Sequence, residues 1–164
     1  IAYYPTSGHF LAMAYRTCDP DRVGILIESA HAILAGLEPS DEMGFALWHG
    51  KLWGVHLNDQ NGLKFDQDKA FGTANLRRAF AQVDVLERGG YGTRGEYVGF
   101  DVKVMRTQRD DLALQHLKNS REIFLRLVQL SRSINRKTWQ AYVDARDYEG
   151  LDLFLTKSLM GLGK

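Results

Sequence analysis

Apolar runs alternate with stretches of helical period along this chain, and the alternation predicts a repeating strand-helix order. Val23 to Ile27 (VGILI) is a short branched run that stops at Glu28, the pattern of a strand buried on both faces. Leu52, Trp53, Val55 and Leu57 make a second run at the start of the stretch Lys51 to Gly72. Tyr97 to Val104 makes a third that carries charge toward its end. Helical spacing fills the intervals. His9 to Thr17 sets Phe10, Met13 and Ala14 on one face, and Cys18-Asp19-Pro20-Asp21 closes it because the position before proline disfavours helix. Ser40 to His49 follows Pro39, with Ser40 or Asp41 as cap and Phe45 and Trp48 inward. Thr73 caps a helix in which Leu76, Ala79, Phe80, Val83 and Leu86 share a face, and Gly89-Gly90 ends it. Leu117, Phe124, Leu127 and Val128 mark a long helix from Asp110 to about Ile134, with Glu122 and Arg126 spaced to pair on its outer side and Asn135 as its stop.

The order is therefore helix, three strand-helix units, then a tail, which calls for parallel strands joined by right-handed crossovers. Three strands cannot close a barrel, and as an open sheet they leave unpaired edges, so partner strands are expected. The opening residue is Ile1, and Ile1 to Tyr4 reads as chain already under way, as in a piece of a larger protein. Arg136 to Lys164 holds one or two short helices (WQAYVDA and LDLFLTKSLM) and no strand. Residues 1–135 thus read as one α/β unit and 136–164 as a helical tail that docks on a neighbouring subunit.

Composition narrows the partners. With 45% hydrophobic residues among 164, the chain has the apolar content of a globular domain. A formal charge of +1, from 21 basic and 20 acidic side chains, supplies no field for nucleic acid or anionic lipid. No apolar run reaches the roughly 18 residues of a membrane span, and no leader pattern opens the chain, so a cytoplasmic protein is expected. The lone Cys18 fits a reducing compartment and reads as a small, partly buried filler.

Each strand delivers polar groups at or just past its carboxyl end: Glu28 and His31, then His56, Asp66 and Asp68, then Asp101. Imidazole mixed with several carboxylates suits divalent metals such as Mn²⁺, Co²⁺ or Mg²⁺. Every member also has a plainer reading. Glu28 and His31 are spaced like a surface pair at a helix start, and His56 between Val55 and Leu57 like a hydrogen-bonded core histidine. Asp66-Gln67-Asp68 could be a turn bonding its own amides, and Asp101 could pair with Lys103 or Arg106. The pattern points to metal because the residues fall on three consecutive strand ends. His9, His49 and His116 read as surface residues, and Trp48, Trp53 and Tyr97 as core. Gly89 to Gly95 follows a helix and precedes a strand, the wrong order for a phosphate loop, and reads as a connector.

From Pro5-Thr6-Ser7-Gly8-His9 through Arg106-Thr107 the chain resembles the carboxyl-terminal half of xylose isomerase. LWHGKLWGVHLNDQNGLKFDQDKAFG, with its Lys64-Phe65-Asp66-Gln67-Asp68 core, and GFDVKVMRT carry the likeness. The resemblance implies a TIM (β/α)₈ barrel of which this chain supplies the last three strands, the sixth to the eighth. It implies an aldose-ketose sugar isomerase that moves hydride between C1 and C2 with two divalent cations, and a homodimer or homotetramer. By position, Glu28 matches the carboxylate bridging both metals, His31, Asp66 and Asp68 the ligands of the catalytic metal, and Asp101 a ligand of the structural metal. Asp68 is implied to steer a metal-bound water, and Lys103 to orient Asp101. Glu28, Asp68 and Lys103 are thus the expected catalytic set. His56 departs from the pattern: it stands where that family has an aspartate, is similar in this to L-rhamnose isomerases, and tilts preference from Mg²⁺ toward Mn²⁺, Co²⁺ or Zn²⁺. A further metal-binding glutamate, a lysine near the substrate, and a histidine and tryptophan of the sugar pocket are expected in the missing half. A sugar epimerase of the same barrel group and a non-catalytic assembly module are the alternatives.

Overall fold

The computed structural model describes residues 4–162. Three parallel strands, β1 (Ile25–Glu28), β2 (Leu52–His56) and β3 (Tyr97–Gly99), pair in the order β1-β2-β3. The crossover from β1 to β2 contains α2 (Ser29–Leu34) and α3 (Pro39–Trp48), and that from β2 to β3 contains α4 (Leu76–Arg88). α1 (Ser7–Tyr15) precedes β1, while α5 (Gln115–Ser133), α6 (Arg136–Ala145) and α7 (Tyr148–Leu159) follow β3. The sheet is an open α/β arrangement, not a closed barrel.

The core lies between the strands and the row α1, α3, α4, α5, in which each helix packs on the next. Ile25, Ile27, Leu52 and Val55 meet Met43 and Ala46 of α3 and Ala79, Phe80, Val83 and Leu86 of α4. Register shifts between Ile25 and Leu26, so that Ile25 pairs with Leu52 but Leu26 with Gly54. The extra residue, Trp53, lets Leu52 and Val55 both face the helices, the effect of a bulge on side-chain alternation. The opposite face has no covering layer among the described residues. Leu26, Trp53 and Tyr97 are exposed there, correcting the expectations of a strand buried on both faces and of Trp53 and Tyr97 as core.

Apart from α2, which no apolar period announces, the helices form where the apolar periods predicted, but two turn different faces inward. In α1 the buried residues are Ser7, Leu11 and Ala14, with Phe10 and Met13 exposed. In α3 they are Pro39, Met43 and Ala46, leaving Phe45 half-exposed and Trp48 86% exposed. α3 starts at Pro39 itself, with Glu38 at the cap position, since proline's fixed φ and missing N–H suit the first helical residue. α4 is capped by Asn75, whose side chain accepts from the Arg78 amide at 3.0 Å; Thr73 instead donates to the Ala70 carbonyl. Gly90, at φ +68°, takes the left-handed turn that ends α4. The regular part of α5 begins at Gln115 after a 3₁₀ turn at Asp110–Leu112, and Glu122 pairs with Arg126 at 2.8 Å. Asn135 caps α6 through the Thr138 amide, so the residue expected to stop one helix starts the next. Cys18 is exposed in the turn after α1 rather than partly buried.

β3 ends five residues short of the expected Val104. Phe100 turns into the core against Phe71 and Phe124, with ring centroids 6.4 and 6.0 Å away. Asn58 takes the Asp101 carbonyl and the Asp68 carbonyl takes the Lys103 amide, so this backbone is bonded to a loop instead of a ladder. The tail folds over α4. Leu155 of α7 is buried, Arg77 pairs with Asp152, and Arg136 pairs with Asp84 beside Ser131.

Candidate metal centre

The carboxyl ends of the strands converge. Glu28 ends β1 and His56 ends β2, and register places them side by side, with Gly99 of β3 next to His56. Glu28 occupies the cap position of α2 but makes no capping hydrogen bond. Asn58 does that work instead, its Oδ1 accepting from the Ala30 amide at 2.7 Å, so neither Glu28 oxygen is taken up in capping α2.

Those oxygens look in two directions. Oε1 lies 3.5 Å from His31 Nε2, which is 3.4 Å from Asp66 Oδ2. Oε2 lies 3.7 Å from His56 Nδ1, which is also 3.7 Å from Asp101 Oδ2. Within Glu28, His31 and Asp66, and again within Glu28, His56 and Asp101, one donor atom per residue lies within 4.8 Å of the others. Glu28 belongs to both groups. Five of the residues singled out in the sequence are therefore brought together in two sets.

Asp68 sits beside them, buried, with both oxygens engaged. Asn58 Nδ2 donates to Oδ1 at 2.9 Å, and Lys103 Nζ pairs with Oδ2. Lys103 also lies 4.0 Å from Asp66 Oδ2. This corrects the expected partnership of Lys103 with Asp101: the turn after β3 is tied to the Asp68 carbonyl through the Lys103 amide, and its ammonium follows the backbone to the Asp66–Asp68 side. Asn58 is the site residue that sequence reading left without a role. It is 1% exposed and links Glu28, Asp68 and the Asp101 carbonyl at 2.9–3.0 Å. Its signal was a polar residue two places past a strand end, in the position where β2 delivers side chains to the site. Asp59 is buried too, but its carboxylate accepts from the Ala74 and Asn75 amides and shapes the entry to α4.

The donor set fits divalent cations. Glu28, Asp66, Asp68 and Asp101 bring four carboxylates together with Lys103 as the ammonium among them, an uncompensated excess of negative charge. Asp66 Oδ1 is buried without a hydrogen-bond partner. Buried polar atoms are otherwise nearly always paired, so this oxygen keeps its capacity to accept a ligand. Burial pushes the Glu28 carboxyl above the ordinary range, with Asp101 and Asp68 adding to the rise. Burial and Asp68 do the same to Asp66, and Asp68 raises the Lys103 ammonium.

A pH dependence follows. A carboxyl raised in the folded state keeps its proton where the unfolded chain has lost it, so metal-free stability is greatest at acid pH on this account. It falls as pH rises from about 4 through the raised values. Thermal unfolding of metal-free protein across that window is expected to show the fall, Glu28→Gln to make it shallower, and saturating Mn²⁺ to abolish it.

Comparison with known proteins places these residues in context. No protein-family model matches the chain. Over 108 residues it is 45% identical to the xylose isomerase of Streptomyces lividans, a match covering 65% of this chain. The chain is a homologue of xylose isomerase. The chain spans 26% of that relative's length. No helix among the described residues is long and apolar enough to cross a membrane.

Proposed function

We propose that the protein carrying this chain is a metal-dependent aldose-ketose isomerase. The chain would supply the sixth to eighth strands of a (β/α)₈ barrel, and the tail 136–164 a contact between subunits. The observation that carries this reading is the carboxylate of Glu28, set between two donor groups with one oxygen turned to each. Homology to xylose isomerase supports it independently.

Glu28, His31, Asp66 and Asp68 would hold one cation, and Glu28, His56 and Asp101 the other. Two divalent cations supply Lewis acidity that polarises a sugar carbonyl and charge that fixes neighbouring hydroxyl oxygens. The chain's own groups do the rest. Asn58 and Lys103 hold the Asp68 carboxylate in one orientation, and Asp68 manages the proton that leaves the C2 hydroxyl and returns to the C1 oxygen. The hydrogen on C2 moves to C1 with its electron pair, so carbon 2 is oxidised as carbon 1 is reduced. Lys103, its ammonium stabilised by Asp68, stays charged and limits repulsion among the carboxylates.

The test combines metal analysis with isotope exchange. Full-length protein is expected to bind two Mn²⁺ or Co²⁺ per subunit and to isomerise an aldose in D₂O without incorporating deuterium at C1. Deuterium at the transferred position would replace hydride shift by proton transfer, as in an epimerase. Protein that binds no metal would be an assembly module.

A further inference from the structure

Gly99 closes β3 directly beside His56. Its backbone lies outside the left-handed region, so an L-residue could adopt it without strain. A Cβ on Gly99 would nevertheless stand 2.9 Å from His56 Cδ2 and 3.3 Å from His56 Nε2, while the next atom, the Val55 carbonyl oxygen, is an ordinary 3.7 Å away. The obstacle is thus the ring alone. The Cδ2–Nε2 edge lies in the space a side chain at 99 would fill, and the opposite nitrogen, Nδ1, is thereby turned to Glu28 and Asp101 at 3.7 Å each. Aspartate is shorter than histidine and would not reach over residue 99 in this way.

We infer that Gly99 is the positioning residue that admits imidazole at this centre: the missing side chain at 99 seats the His56 ring, aims Nδ1 at the Glu28–Asp101 pair, and so makes the second cation position selective for imidazole-accepting ions such as Co²⁺ and Zn²⁺ over Mg²⁺. The inference rests on the metal-centre reading above. It goes further in assigning selectivity to a residue that carries no ligand atom.

The experiment is a double-mutant cycle in the full-length protein, Gly99→Ala and His56→Asp singly and together, read in two ways. In metal-free protein, ring resonances of His56 are expected to move in Gly99→Ala while those of His31 stay; unmoved His56 resonances overturn the inference. With Co²⁺, chelator competition and the visible absorption of the bound ion are followed. Gly99→Ala is expected to weaken Co²⁺ at the His56 position on the order of 10–100-fold, the usual cost of disturbing a ligand's support, and to alter its spectrum. In the His56→Asp background, which has no ring to displace, Gly99→Ala should change Co²⁺ affinity less than about twofold. Equal effects in the two backgrounds overturn the inference even though the metal centre stands. Wild-type protein that binds no Co²⁺ overturns the metal-centre reading itself. Should Gly99→Ala fail to fold, recovery of folding in the double variant supports the steric conflict, and failure of both variants contradicts it.

Discussion

Asp68→Asn is expected to lower isomerase turnover of the full-length protein on the order of 10²–10⁴-fold, the range associated with losing a positioned proton-transfer group. The fold should survive. Asp68 has φ +43°, a left-handed conformation that aspartate and asparagine both tolerate better than other side chains, so the exchange keeps the backbone. Lys103 is largely exposed, so water screens its pair with Asp68 and loss of that pair leaves thermal stability nearly unchanged. What the amide cannot do is carry the proton. The measurement is kcat beside thermal unfolding of the same preparation, with Lys103→Met as companion. If Lys103 acts by holding Asp68, that variant loses less turnover than Asp68→Asn. Turnover within about tenfold of wild type in Asp68→Asn would remove Asp68 from the proton path.

Strand ends and ligand types were legible in the sequence because strands announce their ends. Branched runs halt at Glu28 and His56, and parallel strands put those halts at one edge of the sheet. Register then does what spacing suggests, setting Glu28 beside His56. The inward faces of the short helices were not legible, because α1 and α3 each carry two apolar stripes. Met43 with Ala46 and Phe45 with Trp48 are both spaced three apart, and only packing on the sheet chooses the first pair. β3 looked long for a related reason. Val102 and Val104 keep the alternation of a strand, but hydrogen bonds from Asn58 and to Asp68 draw that backbone off the ladder. Polar side chains that capture backbone from a distant segment leave no periodic trace. That is also why the sequence points Lys103 to the aspartate two residues before it rather than to Asp68.

Asn58→Leu is expected to cost about 3 kcal/mol of stability, because leucine keeps the branched shape but removes every polar function of a buried hub. The Ala30 amide at the start of α2 loses its acceptor, and Glu28, Asp68 and the Asp101 carbonyl lose a shared donor. One amide nitrogen with two hydrogens serves those three acceptors, so they depend on a single position of Asn58. Metal affinity should fall as well, on the order of 10–100-fold, since Glu28 and Asp68 are no longer tethered to each other. Asn58→Asp separates the two causes. The introduced carboxyl still accepts from Ala30, but at neutral pH it adds a charge beside Glu28 and Asp68 and donates nothing. Protonated, it regains one donor. Its pKa is therefore raised in the folded state, and its stability deficit should shrink as pH falls below that raised value, whereas the deficit of Asn58→Leu, which adds no charge and only takes a donor from Glu28 and Asp68, should shrink less. Urea unfolding of both variants at acid and neutral pH makes the comparison. A pH-independent deficit in Asn58→Asp would mean that Asn58 serves the fold through Ala30 alone and leaves the carboxylates to arrange themselves.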